Sequence, residues 1–330
     1  MSLAVAVTGA GTVVQDADDS RSRHASGALV IGPDGSVPLG HLPEGVRARA
    51  VRAERVTQLL LAAGDRAING AGIAAPETRV GIVVGTAFGC FLTNAAYQRR
   101  LAAEGPAGAS PRLFAATVSN AAAGELAIAY RLAGPSVTVS AGAASGLAAL
   151  GEAVEVLRAG RADVVVAGGV DALGGALADW LTAAGLSFGA PPVEAAAALV
   201  LERPGRVRAE LGRIAGHAIG FEPDPAGPAA GGGLAGAIAA ACADAALSPP
   251  EIAVVVSATP PALVALETRA LVATVGACQP RRTKPALAAT GPLGLLAALG
   301  EAKPGVPVLV LDVCPSGHVA ALVAWTREAA

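Results

Sequence analysis

A chain of 330 residues with a formal net charge of −2 offers no electrostatic reason to bind nucleic acid or an anionic membrane surface. Hydrophobic residues make up 53% and charged residues 15%, so part of the surface is expected to be covered, most simply by a partner subunit, although many Ala and Gly residues also inflate the apolar fraction. The four cysteines (Cys90, Cys242, Cys278, Cys314) form no CxxC pair and the four histidines show no metal-ligand spacing, which points to reduced thiols in a cytoplasmic protein and to no metal site. No stretch has the run of bulky apolar residues that a bilayer requires, and MSLAVAVTGAG carries no basic region before its apolar run, so neither a membrane span nor a signal peptide is expected.

Short β-branched runs alternate with longer helical patterns, as in layered α/β proteins. Strands are expected at AVAV near Val5, GIVV at Ile82, VTV at Val137, VVVA at Val164 and AALVL at Leu199. Between them, residues 52–69, 91–103, 117–130 and 145–157 repeat apolar positions at helical spacing. In the last of these, Leu147, Leu150, Val154 and Leu157 share one face. After LERPG the pattern restarts, with a strand over 207–219, a helix over 234–247 and a strand in IAVVVSATP. Short helices over 267–275 and 293–301 follow, and VPVLVLDV and HVAALVAW close the chain as strands. The repeated order suggests two duplicated halves, residues 1–205 and 206–330, in one compact unit. The Pro/Gly-rich stretch 221–233 reads as a surface loop.

The segment NAAAGELAIAYRLAGPSVTVSAGAASGLAALGEAVEVLRAGRADVVVAGGV, from Asn120 to Val170, resembles the nucleophile region of the β-ketoacyl synthases. VAVTGAG is similar to that family's first strand and turn, RAERVTQLLLAAGDRAINGAGI to its first long helix, and VGIVVGTAFG to its second strand. AALVLER resembles the strand closing the first half, and LAGAIAAACADAALSPPEIAVVV the helix and strand before the first catalytic His. The resemblance implies a thiolase-like αβαβα fold, two halves each built on a mixed five-stranded sheet. It also implies an active site that this chain lacks. The family's Cys, activated at a helix N-terminus, is replaced by Ala143. The first His position falls on Val256 or Ser257, and the second, in Thr290-Gly291-Pro292, is Pro292. Lys284 lies too early to match the catalytic Lys, and Pro315 in Cys314-Pro315-Ser316-Gly317 has no N–H to give an oxyanion.

Family members without the nucleophile include the chain-length factors of type II polyketide systems. The resemblance thus implies a non-catalytic partner of a catalytic ketosynthase subunit, shaping the acyl tunnel of a heterodimer. An acyl carrier protein would bring the growing chain, contacted mainly by the ketosynthase, with no cofactor. Ala143 in place of the usual Gln, and the trimmed region between Val14 and Gly45, lean toward systems making reduced or polyene chains. The strand Val137, Thr138, Val139 and Ser140 is expected to meet the partner. A helix from Arg112 into Asn120 is expected to face the tunnel with Arg112, Leu113, Ala116 and Thr117, with Phe114 beside them, although ordinary interface packing fits these residues equally.

Two alternatives stay open. One is an acyltransferase or decarboxylase of the same fold with a relocated nucleophile, such as Cys314 beside His318 in CPSGH. The other is a subunit with a purely scaffolding role. Ser145 reads as a capping or packing group and Cys90 as a small core hydrophobe. TGAGTVV has two of the three glycines of a dinucleotide fingerprint and no acidic residue at the end of a second strand, so it is weak evidence for NAD.

Overall fold

The computed structural model describes residues 3–15, 28–73, 79–186, 192–205 and 209–328. The first half contains β1 (Val5–Val14), β2 (Leu29–Val30), α1 (Glu44–Ala50), α2 (Arg55–Gly70), β3 (Val80–Gly85), α3 (Phe91–Glu104) and α4 (Pro111–Ala115). It continues with α5 (Ala121–Tyr130), β4 (Ser136–Val139), α6 (Ser145–Arg158), β5 (Val164–Asp171), α7 (Gly175–Ala183) and β6 (Ala195–Glu202). The second half contains β7 (Gly212–Phe221), α8 (Gly232–Asp244), β8 (Val254–Ser257), α9 (Val264–Thr274), β9 (Arg281–Arg282), α10 (Thr290–Glu301), β10 (Pro307–Val313) and β11 (His318–Thr326). Of the strand expected over 207–219, Val207 and Arg208 lie outside the described residues.

The strand order repeats. In the first half it runs β4-β3-β5-β6-β1, and in the second β9-β8-β10-β11-β7. β3 is parallel to β4 and β5 while β6 is antiparallel to β5 and β1. β8 is likewise parallel to β9 and β10, and β11 antiparallel to β10 and β7. The two mixed sheets meet edge to edge where Val5, Ala6 and Val7 pair with Ile214, Arg213 and Gly212.

Side-chain alternation along the strands builds the layers. Val164 and Val166 of β5 join α2 and α5 in one apolar cluster, whereas Val165 and Ala167 join α6 and α10 in another. Leu147, Leu150, Val154 and Leu157 of α6 meet Leu295 and Leu296 of α10 in that central cluster, so the two helices form the layer between the sheets. The outer face of β10 and β11 packs on α8 and α9. The result is the αβαβα arrangement.

Three local expectations are corrected. The glycines of VAVTGAG form no turn, because all of Val5–Val14 is strand. A Cβ on Gly9 or Gly11 would run into the carbonyl of Ala67 or Ala63, so these glycines let α2 lie directly on β1. That packing role also removes the basis of the dinucleotide reading. Residues 52–69 are helical only from Arg55, with the separate α1 before them. The helix expected from Arg112 into Asn120 stops at Ala115. Ser110 caps the Leu113 N–H, but the Ala116 and Thr117 N–H groups turn back to Leu113 and Phe114. The Thr117 hydroxyl also bonds the Phe114 carbonyl, and the Cys90 thiol takes the Thr117 carbonyl at 2.7 Å. The carbonyls that would extend the helix are thereby used, and α5 starts only at Ala121, after the expected 117.

Candidate functional site

The turn between β4 and α6 is the centre of the site. Gly142 has φ +58°, a left-handed conformation that glycine adopts without strain. The wholly buried Ser145 Oγ accepts from the Ala141 N–H at 2.8 Å and lies 3.1 Å from the Thr86 carbonyl and 2.6 Å from that of Gly142. It therefore braces the turn from within, and α6 begins at Ser145 with Ala144 as its cap residue. Ala143 is half-buried at this helix start. Its methyl group can neither attack nor leave, so the position carries no covalent chemistry of its own.

The other positions gather around the same helix end in part. Pro292, buried in the first turn of α10, packs against Gly146, where an added Cβ would come within 2.7 Å of its ring. Val256 points into the central core and contacts α10 at Gly294. Ser257 is tied into a buried chain: its Oγ is 2.7 Å from the Thr259 hydroxyl, which donates to Glu267 Oε1 at 2.6 Å. Lys284 is exposed beyond β9. Cys90 precedes α3 and gives it no side-chain cap; its buried thiol donates to the Thr117 carbonyl instead, as a small packed group would.

The hairpin joining β10 to β11 brings a second cluster to Ala143. Cys314 and His318 are directly opposed across it, the Cys314 N–H bonding the His318 carbonyl at 2.9 Å, with Pro315 at the turn and Gly317 at φ +93°. Ser316 Oγ lies 3.0 Å from Cys314 Sγ and 3.0 Å from His318 Nδ1. The Ala143 N–H reaches Cys314 Sγ at 3.4 Å. Sequence reading noticed Cys314 and His318 but not Ser316, although the i, i+2, i+4 spacing across a Pro-Ser-Gly turn was the available signal.

Two buried carboxyl groups frame the site, and neither was singled out from the sequence. Asp171, at the end of β5, accepts from the Thr86 hydroxyl and from the backbone N–H groups of Ala87, Phe88 and Ala288, all between 2.9 and 3.1 Å. Burial raises its pKa, and these hydrogen bonds oppose the rise. Asp312, two residues before Cys314, has only the Gly291 N–H to oppose burial, which lifts its pKa well above the ordinary carboxyl value. Among the described residues its Oδ2 has no hydrogen-bond partner.

The proposed tunnel residues divide between environments. Arg112 and Ala116 line a hollow of about 480 Å³ with Arg49, Glu54, Glu125 and Ile128. Arg112 pairs with Glu54 at 2.9 Å. Leu113 is half-buried, Phe114 is exposed and tilts against Tyr97 at 5.9 Å, and Thr117 closes the α4 turn. Val137, Thr138 and Val139 lie half-buried in β4, the outermost strand of its sheet, and Ser140 is exposed one residue beyond it. Among the described residues no group of three or more His, Cys, Asp or Glu could hold a metal ion, and no helix is long and apolar enough to cross a membrane.

Residues 40–187 match the family described as "Beta-ketoacyl synthase, N-terminal domain". The protein named actinorhodin polyketide β-ketoacyl synthase 2, of Streptomyces coelicolor, is 31% identical over 305 residues, an alignment covering 81% of this chain and 74% of that protein. Polyketide β-ketoacyl synthase 1 of Streptomyces virginiae is 38% identical over 143 residues, which are 40% of this chain and 33% of that protein. For that relative and the 3-oxoacyl-[acyl-carrier-protein] synthase 2 of Vibrio harveyi, the matched stretch spans only 33% and 28% of their length. Among solved structures, the ishigamide ketosynthase/chain length factor superposes with a TM-score of 0.77 at 23% identity, covering 98% of this chain and 100% of that one. A ketosynthase complex with a type II polyketide acyl carrier protein and bound hexaketide gives 0.78 at 20%, covering 99% and 100%. Fold and strand order together define the thiolase-like class of αβαβα folds. The chain belongs to the β-ketoacyl synthase family.

Proposed function

We propose that this chain is a non-catalytic, chain-length-factor-like partner of an active ketosynthase in a type II polyketide synthase. The observation that carries the reading is a sheet edge preceded in the chain by exposed large apolar residues. Among the described residues β4 has a strand neighbour on one side only; α5, which packs on β4, exposes Ile128 (59%), and the segment leading into α5 exposes Phe114 (63%) and Val118 (52%). An edge strand with large apolar neighbours invites pairing with another chain. The replacements at Ala143, Pro292 and Pro315 support a subunit that leaves condensation to its partner. The hollow at Arg112 and Ala116 supports a role in shaping the space available to an acyl chain, which a partner-bound acyl carrier protein would deliver. A reduced or polyene product is the finer form of this reading, and rests on the trimmed sequence alone.

Co-expression with a ketosynthase carrying an intact Cys-His-His set tests it. The expected result is a heterodimer on size-exclusion chromatography whose formation is lost in Phe114→Asp and Val137→Lys variants that keep their folded circular dichroism spectrum. A monodisperse monomer with acyl-transfer turnover would sink the reading.

A further inference from the structure

We propose that Cys314, Ser316 and His318 form an acyl-acceptor centre, in which the Cys314 thiol takes an acyl group from a thioester. This goes beyond the partner role above and does not depend on it.

The geometry is that of a proton relay. Ser316 Oγ lies 3.0 Å from both Cys314 Sγ and His318 Nδ1. A hydroxyl both donates and accepts, so it serves each end of the transfer. With a thiol and a neutral imidazole, S–H donates to Oγ and O–H donates to Nδ1. With a thiolate and an imidazolium, Nδ1–H donates to Oγ and O–H donates to the sulfur. Both states keep both hydrogen bonds, so neither is penalised by a broken contact.

The sulfur also sits at the start of a helix. The Ala143 N–H points at it from 3.4 Å, at the start of the 14-residue helix α6, whose positive end favours an anion. Space for the sulfur comes from the neighbouring residue: a Cβ on Gly142 would stand 2.5 Å from Sγ and 3.1 Å from Ser316 Oγ. The thiol therefore packs against the Gly142–Ala143 backbone, reached from a different strand. Ser316 is exposed and His318 half-buried, so the relay borders solvent. Phe221, 54% exposed, stands edge-on to His318 at 5.4 Å and offers an apolar wall for an acyl chain.

The other three cysteines lack this arrangement. Burial pushes the Cys242 thiol up to about 11. Cys90 donates to the Thr117 carbonyl with Asn94 on its sulfur. Cys278 is exposed, and burial of its sulfur together with Glu267 raises its pKa.

The step balances without any co-reactant beyond the thioester. The Cys314 proton passes to Ser316 Oγ as the Ser316 proton passes to His318 Nδ1, and the sulfur attacks the acyl carbonyl carbon. The new C–S bond forms, the tetrahedral intermediate collapses, and the old C–S bond breaks. The leaving thiolate takes back one proton through the same relay. One thioester is exchanged for another.

The test incubates the full chain with hexanoyl-N-acetylcysteamine and follows each cysteine by peptide mass spectrometry. Acylation of Cys314 is expected at least about tenfold faster than that of the exposed Cys278, the lower end of what a positioned acid–base group supplies being larger still. Ser316→Ala and His318→Ala should each slow it by about tenfold or more. Ser316→Thr, which keeps the hydroxyl, should recover most of the rate, and added imidazole should rescue His318→Ala, which a merely structural role would not allow. Cys314→Ala should abolish the adduct. Should that variant fail to fold, the exposed Ser316→Ala change still decides the matter. Labelling of Cys278 alone, no adduct on the folded protein, or a Cys314 rate indifferent to Ser316 and His318 would overturn the proposal.

Discussion

Replacing Asp312 with Asn is expected to flatten the dependence of folding stability on pH. In the folded protein burial lifts the Asp312 pKa well above the ordinary 3.8, opposed by the Gly291 N–H, and Oδ2 has no partner among the described residues. In the unfolded chain the same group titrates at about 3.9. Between these two values the folded state holds a proton that the unfolded state has released. Stability is therefore fully present below the unfolded pKa and falls as pH rises toward the folded one. The slope is about 1.4 kcal/mol per pH unit inside that window. The amide introduced by Asp312→Asn keeps an acceptor for the Gly291 N–H and places an NH2 where the protonated carboxyl has its unpartnered OH. At the acid end the exchange should therefore change stability by no more than about 1 kcal/mol.

Urea denaturation in half-unit steps from about pH 4.5 to 7, a range above the unfolded pKa, reads the difference between the two proteins, in which groups titrating elsewhere cancel. The wild-type protein should lose stability relative to Asp312→Asn as pH rises. Parallel profiles across that range would refute the argument, because they would mean that Asp312 ionises at the same pH folded and unfolded.

Asp171→Ala removes the acceptor of one hydroxyl and three backbone N–H groups, and the loss should exceed about 3 kcal/mol in urea denaturation, at about 1–3 kcal/mol per stranded donor. Gly142→Ala forces an L-residue to φ +58° and its Cβ onto Cys314 Sγ, so a lower Tm by calorimetry is expected, at about 1 kcal/mol or more from the backbone alone. Ala143→Cys should leave malonyl decarboxylation and condensation at background in assays without a partner, since Pro292 and the Val256–Ser257 segment supply no imidazole. Ala116→Trp should fill part of the hollow beside Arg112 and shorten the product made with the native ketosynthase, measured by mass spectrometry of a heterodimer that still assembles.

Much of the architecture was legible because it rests on burial periodicity. The β-branched runs at Ile82, Val164 and Leu199 became fully buried strands, and Leu147, Leu150, Val154 and Leu157 became the core face of α6. What failed was decided by contacts between distant segments. Gly9 and Gly11 look like turn residues until α2 is laid across β1, when only a residue without a side chain lets its backbone approach. The stretch 112–120 has helical composition, yet Cys90, twenty-seven residues away, takes the Thr117 carbonyl that a longer helix would need.

The site divides along the same line. Residue identity alone was enough to see that Ala143 cannot be a nucleophile and that Pro315 cannot donate an N–H. It could not show what stands against the start of α6, because that depends on the β10–β11 hairpin arriving there from 171 residues away. The Gly142 side chain that is absent and the Cys314 side chain that is present are complementary in space, and neither is informative without the other. A sulfur at that helix start also makes position 143 less permissive than the small size of Ala143 suggests. A larger side chain there would have to share the helix end with Cys314, so the two positions should be coupled. The double variant Ala143→Cys/Cys314→Ala should be closer to wild-type stability than the two single changes would sum to, by a cycle of urea midpoints, with strict additivity counting against the coupling.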